Sequence, residues 1–230
     1  MPYRRLPNTN QARLRSLRQA VRMGEISDLY GLAFSYKTLE EVKSFLVRYE
    51  RALFEYQQHA EKQVSANKKY QHLIKITRLY ISHFIQVLHM CVARNEIKTE
   101  YKLLYGLDEA STVVPDLSSE ENLLEWGKKI IEGEQQRIAK GGVPIYNPAI
   151  AKVRVHYDIF VESYNNQKVL QNNTARAVDI VAHLNETADT LILDIWDQVE
   201  AKFDQLPQPN RLEKCGEYGV IYYYRKGEKE

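Results

Sequence analysis

The stretch that decides the fold is residues 38–95, TLEEVKSFLVRYERALFEYQQHAEKQVSANKKYQHLIKITRLYISHFIQVLHMCVARN. Two mostly apolar positions recur in it every seven residues. A recurrence of this length keeps one stripe of a helix facing a partner helix. The first series comprises Val42, Tyr49, Tyr56, Gln63, Tyr70, Thr77, Phe84 and Cys91, and the second comprises Leu39, Leu46, Leu53, Ala60, Asn67, Ile74, Ile81 and Leu88.

A second segment, residues 147–203, has the same rhythm. The chain is therefore predicted to be all-α, an elongated antiparallel bundle of long helices that is similar to a four-helix bundle. The seven-residue phase passes through Gln63 and Gln171 without a skip, and this favours two continuous helices. The alternative is a pair of hairpins that turn at 65–67 and 172–174, where Ser, Asn and Thr supply N-cap chemistry.

Shorter elements are predicted around these two segments. A helix over 10–23 should stop at Gly24, an irregular connection should span 29–36, and a short helix over 99–105 should end at Gly106. Three helix starts are also predicted: Thr38 with Glu41, Ser118 with Glu121 for a helix to about Lys140, and Asn147 followed by Pro148.

The chain is interpreted as one helical-bundle domain, residues 1–230, with an internal duplication. The pseudo-repeats cover about 10–106 and 118–206, and residues 207–230 form a C-terminal arm in which 219–224 should be a short strand or an extended segment. At an offset of 108 residues, Tyr49 and Tyr56 fall opposite Tyr157 and Tyr164. The alternative is chance agreement, because any two amphipathic helices can be slid into partial register.

Composition excludes several classes of protein. The chain has 44% hydrophobic and 27% charged residues, which is ordinary for a globular domain, and its formal net charge is +2. No apolar run approaches the roughly 20 residues that a membrane span needs. The two cysteines are too few for a disulfide framework. We therefore expect a reduced, cytoplasmic protein with no membrane contact.

No sequence motif identifies a catalytic, cofactor or metal site. The chain contains no Glu-x-x-His, no Gly-x-Ser-x-Gly and no glycine-rich phosphate loop. The nearest candidates for metal ligands are Glu55 with His59, His83, His89, and Asp179 with His183 and Glu186. Histidines in such positions are usually structural or exposed. We expect no metal, no cofactor and no enzymatic activity, although catalysis by residues scattered over several helices stays open.

The N-terminal arginines are the first candidate binding site. Six of them occur in the first 22 residues, where no acid occurs: Arg4, Arg5, Arg13, Arg15, Arg18 and Arg22. Arg15, Arg18 and Arg22 share one helical face, where guanidinium groups suit phosphates or carboxylates. A nucleic-acid-associated protein that uses this cluster is therefore the alternative to a protein-binding scaffold. The alternative is a helix that pairs with acids of the bundle, such as Glu40, Glu41, Glu50 or Asp197.

The second candidate site is a polar layer in the core. Tyrosines on the apolar stripe need partners for their hydroxyl groups, which Asn185 and the other amides of the stripe can supply. Such a layer fixes the register of a bundle. The alternatives are an aromatic and amide groove that binds a small ligand or peptide, and tail tyrosines that add a strand to a partner's sheet. The predicted layer comprises Tyr56, Gln63, Asn67, Tyr164 and Gln171.

Four stretches carry a resemblance to a known group of proteins. They are Tyr-Arg-Arg-Leu-Pro-Asn-Thr at 3–9, Tyr-Ile-Ser-His-Phe-Ile-Gln-Val-Leu-His at 80–89, Pro-Ile-Tyr-Asn-Pro at 144–148, and Tyr-Gly-Val-Ile-Tyr-Tyr-Tyr-Arg at 218–225. With these stretches the chain resembles a family of uncharacterised bacterial helical-bundle proteins. That resemblance implies a bacterial, cytosolic helical protein and no assigned activity. The leading expectation for function is a scaffold that binds a protein partner or associates with itself.

Overall fold

The computed structural model describes residues 2–27 and 31–225. Over these residues the fold is all-α with long helices packed together, as predicted. It also contains one small antiparallel sheet, whose N-terminal strand was not predicted. The elements in chain order are β1 (Tyr3–Arg4), α1 (Asn10–Ile26), α2 (Tyr36–Ala93), a 3-10 helix (Thr99–Tyr105), α3 (Glu120–Ala139), α4 (Ile150–Lys202), α5 (Gln208–Glu217) and β2 (Tyr222–Tyr223).

The two long segments are continuous helices, so the hairpin alternative is wrong. Helix α2 runs for 58 residues and α4 for 53 without a break. The seven-residue positions in α2 are buried or half-buried, with the single exception of Asn67. Burial along α2 is uneven, because no residue between Ala52 and Tyr70 is fully buried.

The end of α1 and the start of α2 differ from the predicted boundaries. Helix α1 continues past Gly24 to Ile26. A Cβ at Gly24 would lie 2.4 Å from Leu39 Cδ1, so this glycine allows close packing and does not end the helix. Helix α2 begins at Tyr36, since Ser35 Oγ accepts a hydrogen bond of 3.1 Å from the Thr38 backbone N–H.

The other predicted starts move by one or two residues. Helix α3 is capped by Ser119, whose side chain accepts from the Asn122 backbone N–H at 3.0 Å. Helix α4 begins at Ile150, and Pro148 lies in the turn before it. The short helix that ends at Gly106 is present as the 3-10 helix, and Gly106 has the positive φ of 70° that glycine adopts readily.

The predicted C-terminal arm 207–230 contains helix α5, which was not predicted. The described residues at the end of the arm are extended, as expected, and they form a strand that pairs with the N-terminal strand of the same chain. Strand β2 runs antiparallel to β1, with Tyr3 opposite Tyr223 and Arg4 opposite Tyr222. Residues 226–230 of the arm, and residues 29 and 30 of the predicted connection, lie outside the described residues.

The described residues belong to two compact units. The first unit is formed by Met1–Ala60 with Asn173–Glu230, and the second by Glu61–Asn172. Each contains one part of α2 and one part of α4, and the internal duplication stays a prediction.

In the first unit, α2 and α4 run antiparallel under α1. Thr38 Oγ1 donates to Asp194 at 3.1 Å, and the Tyr49 hydroxyl donates to Asn185 at 2.6 Å. Its core is apolar and aromatic, and the largest fully buried side chains in it are Trp196, Tyr49, Phe45, Leu17 and Leu39.

In the second unit, α2 and α4 again run antiparallel, and α3 covers them. Tyr70 stacks on Phe160 with ring centroids 6.1 Å apart, and Thr77 Oγ1 donates to the His156 carbonyl at 3.1 Å. Side chains from helices and from loops form one core in this unit. Its largest fully buried side chains include Tyr105, Phe84, Phe160, Ile81 and Leu88.

Candidate functional site

The N-terminal arginines divide into paired and exposed groups. Arg4 forms an ion pair with Asp197, and Arg18 Nε lies 2.8 Å from Glu50 Oε1. Arg13 makes two hydrogen bonds to Asp189, of 2.7 and 2.8 Å. These hydrogen bonds raise the pKa of Arg13, against the opposing effect of its partial burial.

The other three arginines of this cluster are exposed to solvent. Arg5, Arg15 and Arg22 are exposed, and within 2–27 and 31–225 their guanidinium groups have no ion-pair partner. Of the three arginines on the predicted binding face of α1, only Arg15 and Arg22 therefore have no ion-pair partner among the described residues. The pairing with acids of the bundle, predicted as the alternative, occurs at Asp197 and Glu50.

The predicted polar layer is not assembled as one buried set. Its members Tyr56, Gln63 and Tyr164 are half-buried, whereas Asn67 and Gln171 are exposed. A layer that fixes register must be shielded from water, and these two amides are not. The correction has a local cause, because the middle of α2 carries no fully buried side chain.

Buried polar groups lie one helical turn from the predicted ones. Tyr70, three residues after Asn67, is 3% exposed, and Gln167, four residues before Gln171, is 5% exposed. Tyr70 Oη and Gln167 Oε1 have no hydrogen-bond partner among the described residues. Burial is the main cause of the raised pKa of Tyr70.

Asn185 does supply the hydroxyl partner that the sequence predicted for a stripe tyrosine. Its Oδ1 accepts from the fully buried Tyr49, and its Nδ2 donates to Asn10 Oδ1 at 3.0 Å. Burial raises the pKa of Tyr49. This network connects α1, α2 and α4 of the first unit through one amide.

The second unit contains a buried hydrogen-bond network that was not predicted from the sequence. Arg137 Nη2 and Nε donate to the two carboxylate oxygens of Glu134 at 2.7 and 2.9 Å. The Tyr105 hydroxyl donates to the same carboxylate, and so does the Ile145 backbone N–H at 3.0 Å. Every member is satisfied, so the network holds the 140–146 loop against α3 and leaves no group for a ligand.

The only signal for this network in the sequence is spacing. Glu134 and Arg137 follow Ile130 and Ile131 on the apolar side of α3 at helical intervals. Tyr105 comes from the 3-10 helix, and burial together with Glu134 raises the pKa of its hydroxyl.

A cavity of about 450 Å³ lies in the first unit beside the two strands. Its charged lining residues are Arg4, Glu200 and Arg211. All three have partners, because Arg211 pairs with Asp204 at 2.7 Å and Glu200 accepts from the Tyr222 hydroxyl at 2.7 Å. This cavity therefore presents charge that the protein already neutralises.

A second cavity, of about 350 Å³, lies in the second unit. Its lining includes His89 of α2 and Trp126 of α3, with the loop that follows Gly106. His89 is 8% exposed, and neither of its ring nitrogens has a hydrogen-bond partner among the described residues. The ring nitrogens of His89 are therefore available to hydrogen-bond a ligand in this cavity.

Within 2–27 and 31–225, no group of three or more His, Cys, Asp or Glu side chains is placed to hold a metal ion. No helix in the same residues is both long and apolar enough to cross a membrane.

Comparison with known proteins gives no match: no family model, no curated protein and no solved structure resembles the chain significantly. The resemblance to bacterial helical-bundle proteins therefore stays a prediction.

Proposed function

We propose that this chain is a non-enzymatic interaction protein that binds a helix of another protein chain, with a second copy of itself as the first partner to test. One observation carries this proposal. In the second unit, α4 presents an exposed stripe formed by Val155, Ile159, Glu162, Asn166 and Val169.

The stripe has the spacing of a helix-packing surface. Its positions are separated by four, three, four and three residues, which is the interval of a seven-residue seam. Val155, Ile159 and Val169 are 55%, 41% and 55% exposed. Single exposed apolar residues are common, whereas a row of them along one helix face is a feature of interaction sites.

The chemistry of the stripe also describes its partner. An apolar face contacts the two ends of the stripe, while Glu162 and Asn166 lie between them. We infer a partner helix that offers Lys, Arg or an amide opposite these two residues, because a carboxylate covered without a partner is costly. The expected recognition mode is a helix laid along a helix.

The test is the oligomeric state of the full chain and of one double variant. Replacing Val155 and Ile159 with Lys (V155K/I159K) places two like charges in the seam, and the matched control is Val143→Lys, at a loop residue that is 70% exposed. We expect sedimentation to show concentration-dependent association of the wild type and of Val143→Lys, and its loss in the double variant.

Two results decide against the proposal. One is a wild-type chain that stays monomeric at high concentration and retains no specific protein from its native cell. The other is association, or retention of a partner, that survives unchanged in the V155K/I159K variant.

The second candidate is association with nucleic acid through the exposed Arg5, Arg15 and Arg22. It has weaker support, because the ion pairs of Arg4, Arg13 and Arg18 already occupy half of the cluster. Replacing Arg15 and Arg22 with Gln should abolish a salt-dependent mobility shift of DNA or RNA. The absence of any shift for the wild type at low salt ends this candidate.

We further propose a cytoplasmic location. Its support is that Cys91 and Cys215 are both free and buried, as in proteins that live in a reducing compartment.

A further inference from the structure

The cavity beside His89 contains a polar group that the protein leaves unsatisfied. His89 lies on α2 in the second unit and is 8% exposed. Neither Nδ1 nor Nε2 has a hydrogen-bond partner among the described residues. Buried polar side-chain atoms are nearly always hydrogen-bonded in folded proteins, so a buried histidine that lines a cavity indicates a ligand.

The walls of this cavity are largely apolar. Apolar side chains come from α3 and from the loop after the 3-10 helix. These are Leu107, Val113, Val114, Pro115 and Trp126. A volume of about 350 Å³ is in the range of small-molecule sites. The walls therefore accommodate an apolar body, such as one aromatic ring with a short substituent.

The other polar groups of the lining are engaged in the loop. Asp108 Oδ1 accepts from the Ala110 backbone N–H at 2.8 Å, and Ser111 Oγ accepts from the Val113 backbone N–H at 3.2 Å. The imidazole is the most buried polar side chain of the lining, since Ser111 is half-buried and Asp108 is exposed, and it is therefore the group best placed to orient a ligand.

Burial and a neighbouring positive charge favour the neutral form of the His89 ring. Lys102 is 2% exposed, and its ammonium group donates to the backbone carbonyls of Glu109 and Ser111 at 2.6 and 2.5 Å. Burial and then this ammonium group lower the pKa of His89, and a contact with the Val113 backbone that does not meet hydrogen-bond geometry acts in the opposite direction. A neutral imidazole has one N–H donor and one nitrogen acceptor.

The same charges select against ionic ligands. The Lys102 ammonium group behind the wall disfavours a cation near His89. The Asp108 carboxylate on the lining disfavours an anion. A neutral molecule with one small polar group meets neither repulsion.

We propose that this cavity binds a small neutral molecule with an apolar ring and one hydroxyl group, a phenol or an alicyclic alcohol, whose hydroxyl hydrogen-bonds a ring nitrogen of His89. The site is separate from the exposed stripe of α4, so this proposal does not depend on the proposed protein partner.

The test uses 4-methylphenol as the probe and tryptophan fluorescence as the readout. The chain has two tryptophans; Trp126 lines the cavity, whereas Trp196 is 1% exposed in the core of the first unit. We expect a saturable change in fluorescence with 4-methylphenol, and no change in a Trp126→Phe variant. Toluene, benzoate and benzylamine serve as matched probes that lack the hydroxyl or carry a charge.

The decisive variant is His89→Leu, which removes both nitrogens and keeps an apolar side chain of similar size. We expect it to weaken 4-methylphenol binding at least tenfold and to leave toluene binding unchanged. The control His72→Leu alters an exposed histidine of the same helix and should not affect either probe.

A measurement on the wild type covers the case in which His89→Leu does not fold. In a ¹⁵N-histidine spectrum, 4-methylphenol should shift the ring nitrogens of His89 and no other histidine. The proposal is overturned if no probe gives a saturable change, as expected for a cavity that holds only water. It is also overturned if benzoate or benzylamine binds more tightly than 4-methylphenol, or if the ¹⁵N chemical shifts of the His89 ring do not change.

Discussion

Glu134 and Arg137 form an ion pair one turn apart on α3, and their side chains are 0% and 3% exposed. The pair is hydrogen-bonded to Tyr105 and to the backbone at Val143 and Ile145. A buried pair of this kind contributes little beyond what apolar packing would give, but removing one partner leaves a buried charge. Because of this asymmetry, replacing one partner tests whether the pair is buried in the second unit.

Replacing Arg137 with Met should destabilise the protein by about 3–5 kcal/mol, because the Glu134 carboxylate would stay buried without its partner. The free energy of unfolding in urea measures this change. The control is Lys128→Met on the same helix, whose exposed pair with Glu132 has a separation of 3.9 Å. That variant should lose less than about 1 kcal/mol, and equal losses in both variants would contradict the buried network.

Stability should fall in mild acid because of His89. Its folded pKa lies below the ordinary value of about 6.5, so the unfolded chain takes up this proton first as the pH falls. The contribution of the neutral ring is complete above about pH 6.5 and declines below it. Lys102 and Asp108 are charged groups near the ring.

The measurement is the free energy of unfolding between pH 7 and pH 5. His89→Leu should lose less stability over this interval than the wild type, whereas His72→Leu should follow the wild type. A His89→Leu variant with the wild-type pH slope would show that another group causes the decline.

Two glycines should respond to alanine in opposite directions. A Cβ at Gly127 of α3 would lie 2.3 Å from the Tyr157 ring, whereas nothing lies within 4 Å of a Cβ at Gly216 of α5. Gly127→Ala should therefore destabilise by about 1–3 kcal/mol through overpacking. Gly216→Ala should stabilise by up to about 1 kcal/mol, because alanine favours the helix. Thermal unfolding of the two variants checks the signs, and a stabilising Gly127→Ala would refute the close contact.

Both thiols should be unreactive in the native state. Cys91 and Cys215 are 9% and 0% exposed, and burial is the main cause that raises the pKa of each thiol. A thiol reagent at pH 8 should react slowly with the folded chain and label both residues within seconds in urea. Fast labelling of one thiol in buffer would show that its part of the core opens.

The seven-residue recurrence was sufficient to predict the two long helices, α2 and α4. It depends only on residues close in sequence, and it placed α2 and α4 within a few residues of their observed ends. The predicted starts at Thr38 and Ser118 failed because a nearby serine, Ser35 or Ser119, caps the helix instead. At the third start, Asn147 and Pro148 lie in the turn before α4.

Depth of burial was not predictable in the same way. Asn67 and Tyr70 are one turn apart on the same stripe, yet the first is exposed and the second is buried. Which of them water reaches depends on the elements that cover each part of the helix, and these come from distant parts of the chain. The Glu134–Arg137 pair and the open nitrogens of His89 were missed for the same reason, since their surroundings are supplied by loops.

The uneven burial of α2 also determines where its backbone can open. From residue 53 to residue 69 the helix relies on its own hydrogen bonds and on half-buried side chains, which give less protection against local unfolding. Amide protons of this stretch should exchange with deuterium sooner than those of 39–52 and 70–91. The same stretch contains Lys62, Lys68 and Lys69, so trypsin at low dose should first cut α2 there.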